Sequence, residues 1–114
     1  MSNSSSLIRL NNGVEMPALG LGVFQSRPAE TTGAVREAIA AGYRLIDTAA
    51  VYRNEAQVGE AIAQNGANRD ELFVTTKAWI SDYGFDQTLR AFDRSMRKLG
   101  LERLDLYLLH WPVP

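Results

Sequence analysis

The sequence has no cysteine and a single histidine, His110, so a disulfide framework, a thiolate nucleophile and a zinc cluster of the usual Cys/His kind are excluded. Neither sign of charge prevails: 12 Lys and Arg stand against 13 Asp and Glu, a formal net of -1. Such a chain has no basic excess with which to neutralise phosphates, which argues against nucleic acid or an anionic membrane as a partner. No apolar run approaches the ~18 residues of a membrane helix, and Met1 to Ser6 has neither the basic start nor the apolar stretch of a secretory leader. What remains, with 46% hydrophobic and 22% charged residues over 114 positions, is the composition of one ordinary globular domain. A cytoplasmic location is the expectation.

Punctuation divides the chain. After a polar tail at residues 1–6, expected to be flexible, Leu7 to Leu10 and Val14 to Pro17 flank Asn11-Asn12-Gly13, a hairpin signal. Leu19 to Phe24 reads as a buried strand. Pro28 then opens a helix carrying Val35, Ala38 and Ile39 at helical spacing, and Gly42 stops it. The unit recurs: a strand over Tyr43 to Asp47, then a helix with Val58, Ala61 and Ile62, for which Asn54 and Gln57 resemble a capping box. It recurs again in a strand over Leu72 to Lys77 and a helix whose Leu89, Phe92, Met96 and Leu99 form one apolar stripe. A last strand runs from Leu104 to His110.

The strand ends at Asp47, Lys77 and His110 are 77 − 47 = 30 and 110 − 77 = 33 residues apart, about one βαβ repeat. Four parallel strands joined by three right-handed helical crossovers follow. Periodicity alone allows either an open doubly wound sheet or a (β/α)8 barrel. Against the first, Gly20-Leu-Gly-Val-Phe-Gln25 begins like G-x-G-x-x-G but lacks the third glycine, and Pro28 delays the helix that should receive a pyrophosphate. In favour of the second, a barrel assembles its site from several strand ends at one rim, and here three strand ends carry Asp47, Lys77 and His110.

Singly, each of these residues has a plainer explanation. Asp47 caps a turn, Lys77 is a solvated strand end, Tyr52 a half-buried loop aromatic and His110 a satisfied core histidine. Jointly, a barrel rim brings all four within reach of one another. The chemistry of such a group is proton transfer. A phenol has an ordinary pKa of about 10 and is a poor acid at neutral pH, but a lysine cation beside it favours the phenolate. An aspartate can orient that lysine through charge-assisted hydrogen bonds, and a histidine can polarise a carbonyl oxygen. A general acid at a carbonyl suits its reduction, and since no side chain supplies a hydride, a nicotinamide cofactor is implied.

The segment Gly42-Tyr-Arg-Leu-Ile-Asp-Thr-Ala-Ala-Val-Tyr-Arg-Asn-Glu55, with Val58-Gly59 after it, resembles the signature of the aldo-keto reductases. Gly13 to Gly22, Thr75-Thr-Lys77 and Leu108-Leu-His-Trp-Pro112 are similar to that family too, nearest its diketogluconate reductase branch. The resemblance implies the N-terminal half of a (β/α)8 TIM barrel: four parallel strands with three helices over residues 7–114, preceded by a β-hairpin. It implies NADPH-dependent reduction of aldehydes or ketones. Tyr52 is then the general acid, Lys77 and Asp47 tune it, and His110 guides the carbonyl. By the same carry-over Gly22, Val23 and Asp47 lie near the nicotinamide, and Phe24, Trp79, His110 and Trp111 line the substrate pocket, although buried aromatics serve equally as plain core. Strands five to eight of the family are absent. Strands one and four should then be unpaired edges, and the expected partner, besides a small carbonyl substrate, is a complementing half barrel or a second copy. The alternative is a catalytically inactive half barrel acting as an interaction module.

Overall fold

The structure, a computed structural model, describes residues 6–66 and 68–113; the expected tail lies, but for Ser6, outside them. Two short strands, β1 (Leu7–Arg9) and β2 (Glu15–Pro17), pair antiparallel with Ile8 opposite Met16. Their connection is longer than the two-residue turn that Asn-Gly suggests. Leu10 N–H donates to the Val14 carbonyl, Asn12 Oδ1 accepts from Val14 N–H, and Gly13 takes the positive φ of 87° that the corner requires.

The remaining strands, β3 (Gly20–Gly22), β4 (Leu45–Asp47), β5 (Phe73–Ala78) and β6 (Leu106–Leu109), form one all-parallel sheet in the order β3-β4-β5-β6. Helices α1 (Pro28–Ala40), α2 (Glu55–Gln64) and α3 (Phe85–Leu99) fill the three crossovers. This is half of a β/α barrel, closed on its outer side by helices and open at β3 and β6. Because side chains alternate along a strand, Ile46 and Val74 point outward and pack with Val35, Ile39, Val58, Ala61, Ile62 and Leu99 in the main core. The alternate positions, Asp47, Thr75, Lys77 and His110 among them, share the inner face, as the register Gly22 to Asp47 to Thr75 and Lys77 to Leu108 requires.

Two local expectations are corrected. The stripe that α3 buries is Ala91, Ser95 and Leu99, with Phe92 and Met96 half-buried and Leu89 53% exposed. Small residues let the helix approach the sheet, while Phe92 packs at the flank against Tyr107 with ring centroids 5.2 Å apart and Leu89 is left outward. Asn54 does occupy the cap position of α2, but its side chain makes no cap hydrogen bond; it is fully buried and spent elsewhere.

Among the described residues no helix is long and apolar enough to cross a membrane.

Candidate active site

The C-terminal ends of β3 to β6 open onto one rim. Lys77 Nζ donates to both carboxylate oxygens of Asp47, at 2.8 and 2.9 Å, and to the Thr48 carbonyl at 3.0 Å. The side chains are only partly exposed, 15% for Lys77 and 32% for Asp47, so the pair lies in an environment where charge is worth more than in water. The Thr75 hydroxyl donates a further short hydrogen bond to Asp47. The carboxylate is thus held by two side chains of the neighbouring strand β5.

Tyr52 comes from a 3₁₀ turn, Ala50–Tyr52, between β4 and α2. The turn ends at Arg53, which has a left-handed conformation (φ 62°, ψ 30°) uncommon for a non-glycine residue. The tyrosine ring stands with Lys77 Nζ 5.4 Å from its centroid, within the range of a cation over an aromatic face. The His110 ring meets it edge-on, with centroids 5.5 Å apart and planes at 86°. His110 follows β6 and extends its ladder through N–H donation to the Ala78 carbonyl. Desolvation first, and the Lys77 cation second, hold its pKa below the usual 6.5, against a smaller pull upward from Asp47. The imidazole is therefore neutral at neutral pH, with one N–H to donate. Its Nδ1 is buried without a partner among the described residues.

All four expected catalytic residues are thus brought together. The expected pocket residues form an arc around them: Phe24 lies 5.3 Å from Tyr52, Trp79 lies 5.3 Å from His110, and Trp111 lies 4.7 Å from Trp79, centroid to centroid. Of the residues expected near a cofactor, Gly22 ends β3 beside Asp47, and a Cβ built there would meet no atom within 4 Å. The rim beside Asp47 is consequently open at Gly22. Val23 contributes only backbone there, its N–H donating to the Asp47 carbonyl at 3.2 Å, while its side chain is buried in the core.

Sequence reasoning missed the residues that hold this group. Thr75 was legible in principle, since it precedes Lys77 by two positions on a strand and so must share its face. Tyr83 gave no signal. Its hydroxyl donates to the Trp111 carbonyl (2.8 Å) and accepts from the Trp111 N–H (3.0 Å), fastening the chain just beyond His110.

Residues 18–114 match the family model described as aldo/keto reductase family. The chain is 61% identical over 113 residues to morphine 6-dehydrogenase of Pseudomonas putida, which covers 99% of this chain and 38% of that protein. A crystal structure of an aldo/keto reductase from Brucella melitensis superposes with a TM-score of 0.96 at 50% identity, over 100% of this chain and 44% of that one. An aldo-keto reductase of Bombyx mori solved in complex with NADP gives 0.92 at 45% identity, over 96% and 39%. The chain spans about two fifths of the length of such relatives and corresponds to their N-terminal part.

Proposed function

The chain belongs to the aldo/keto reductase family, and from that premise we propose that its rim carries the proton-donating side of the reduction of aldehydes or ketones. The observation that supports this best is the placing of one cation, Lys77, between a two-pronged carboxylate and an aromatic hydroxyl residue, with a neutral histidine edge-on to the same ring. As a carbonyl oxygen gains negative charge, Tyr52 gives it a proton. The phenolate left behind is stabilised by the Lys77 ammonium, which Asp47 and the Thr48 carbonyl keep in place. His110 donates its N–H to the same oxygen and orients it, with the aromatic arc flanking the reacting group.

When bound, NADPH supplies the hydride. Its nicotinamide end is assigned to the rim at Gly22, Val23 and Asp47, an assignment that the open space beside Gly22 supports. The residues present do not form a pyrophosphate cradle: Gln25 stands where a third glycine would, and α1 begins at Pro28, which has no N–H to offer. The rest of the cofactor is therefore assigned to βα units five to eight of the relatives. Those units, in the same polypeptide or in a complementing one, also pair the open edges at β3 and β6. Location in the cytoplasm, with its NADPH pool, belongs to the same proposal.

The test is turnover of a panel of aldehydes and ketones, followed by NADPH absorbance, with the remaining βα units provided. Tyr52→Phe should lower kcat by about 10²- to 10⁴-fold. Equal turnover of wild type and variant would refute the general-acid role. A second reading, an interaction module without catalysis, draws on the exposed Leu109 and Phe85, 59% and 83% accessible. Quenching of Trp79 and Trp111 fluorescence by NADPH favours the enzyme; silence at millimolar cofactor favours the module.

A further inference from the structure

We propose that Asn54 is the positioning residue for Tyr52, locking the β4–α2 loop that carries the acid to the β3–α1 loop beside it and to its own start at Thr48; this deepens the reading of Tyr52 as proton donor and rests on it. Asn54 is fully buried, two positions after Tyr52 and immediately after the left-handed Arg53. Its Nδ2 donates to two carbonyls, Val23 at 3.0 Å and Ser26 at 3.3 Å, and its Oδ1 accepts from the Thr48 hydroxyl at 2.7 Å. The orientation of the amide is fixed by chemistry, because carbonyl oxygens only accept and so must face the nitrogen.

Two of the three anchors of this amide, Val23 and Thr48, lead directly to the site. Val23 precedes Phe24, whose ring packs on Tyr52, and donates its own N–H to the Asp47 carbonyl. Thr48 follows Asp47, and its carbonyl accepts from Lys77 Nζ. One side chain therefore sets the spacing between the aromatic that covers Tyr52, the lysine beneath it and Tyr52 itself. An ordinary capping side chain would need only the first N–H groups of α2, which the Asn54 side chain does not bond. A buried amide with both ends used, within its own loop and across to the neighbouring one, is costly to disturb and is pinned by its partners.

The experiment uses two nearly isosteric variants, Asn54→Leu and Thr48→Val, with two readouts. In the 114-residue chain with ring-labelled tyrosine, NMR should show the Tyr52 ring signal losing the shift imposed by Phe24 and His110, while Tyr43, Tyr83 and Tyr107 stay in place. With all eight βα units present, kcat should fall about 10- to 100-fold with KM changed less than about threefold, and adding either substitution to Tyr52→Phe should cost nothing further. An unmoved Tyr52 signal in a folded variant, or losses that multiply with those of Tyr52→Phe, would overturn the assignment. Should Asn54→Leu not fold, Thr48→Val alone decides, since it removes one hydrogen bond and no backbone contact. If Tyr52→Phe proves fully active, the acid role fails, and the Tyr52 ring signal still decides whether Asn54 places the ring.

Discussion

His110 is the only histidine of the chain, so its titration can be followed by NMR without assignment ambiguity. Burial and Lys77 depress its pKa while Asp47 opposes them. Lys77→Met should therefore raise the His110 pKa, and Asp47→Asn should lower it further; shifts in the same direction for both variants would contradict the arrangement. The depression also has a stability consequence with a definite sign. Because the folded value lies below the unfolded one of about 6.5, the unfolded chain takes up the proton first as pH falls. The contribution is fully present above about pH 6.5 and is lost as pH drops through the depressed value. The urea midpoint of the wild type should fall more steeply across that window than that of His110→Gln. Of this site, the four reacting side chains were legible in the sequence because each ends a strand or follows one closely, and strand ends converge in a barrel. Asn54 and Tyr83 were not, because the backbone groups they hold lie 28 or more residues away, and nothing in the local pattern, the nearby Thr48 included, distinguishes a buried amide from a cap.

At the scale of elements, α2 and α3 meet at Gly59, where a Cβ would come within 2.6 Å of the Leu99 carbonyl carbon. That approach places α2, and with it the loop bearing Tyr52, against the end of α3. Gly59→Ala gains helix propensity of up to ~1 kcal/mol, yet overpacking against backbone, which cannot rotate away, costs about 1–3 kcal/mol. Urea unfolding should show net destabilisation, and a neutral or stabilised variant would mean that the helices separate without loss. Residue size explains what the sequence pattern misjudged in α3. Hydrophobic periodicity weighs large residues, so Leu89 and Phe92 draw the eye. The helix instead buries Ala91 and Ser95, whose small size permits close packing, and leaves Leu89 and Phe85 facing outward. Val35, Ile39, Val58 and Ile62 were legible because in α1 and α2 the larger apolar residues are the ones the core buries.

For the whole molecule, the decisive fact is that the sheet has two open sides. Leu109 points away from the inner face, where a helix following β6 would cover it in a complete barrel, and is 59% exposed; β6 itself pairs only with β5. A parallel edge with free N–H and C=O groups and flanking apolar side chains invites pairing with another chain. The 114-residue chain alone should therefore associate in sedimentation experiments as concentration rises, and the Leu109→Lys variant, with a charge at the edge, should associate less. Adding the C-terminal portion of a relative, such as the Brucella melitensis protein, should suppress self-association of the wild type and slow hydrogen exchange at Leu106–Leu109, because strand five then occupies the edge. A chain that stays monomeric and unfolds cooperatively, with β6 amides protected as well as those of β5, would show that the half barrel is self-sufficient. Leu109→Lys should also weaken complementation, since burying an unpaired lysine under a helix costs several kcal/mol, so the same substitution that improves the isolated half should impair the completed barrel.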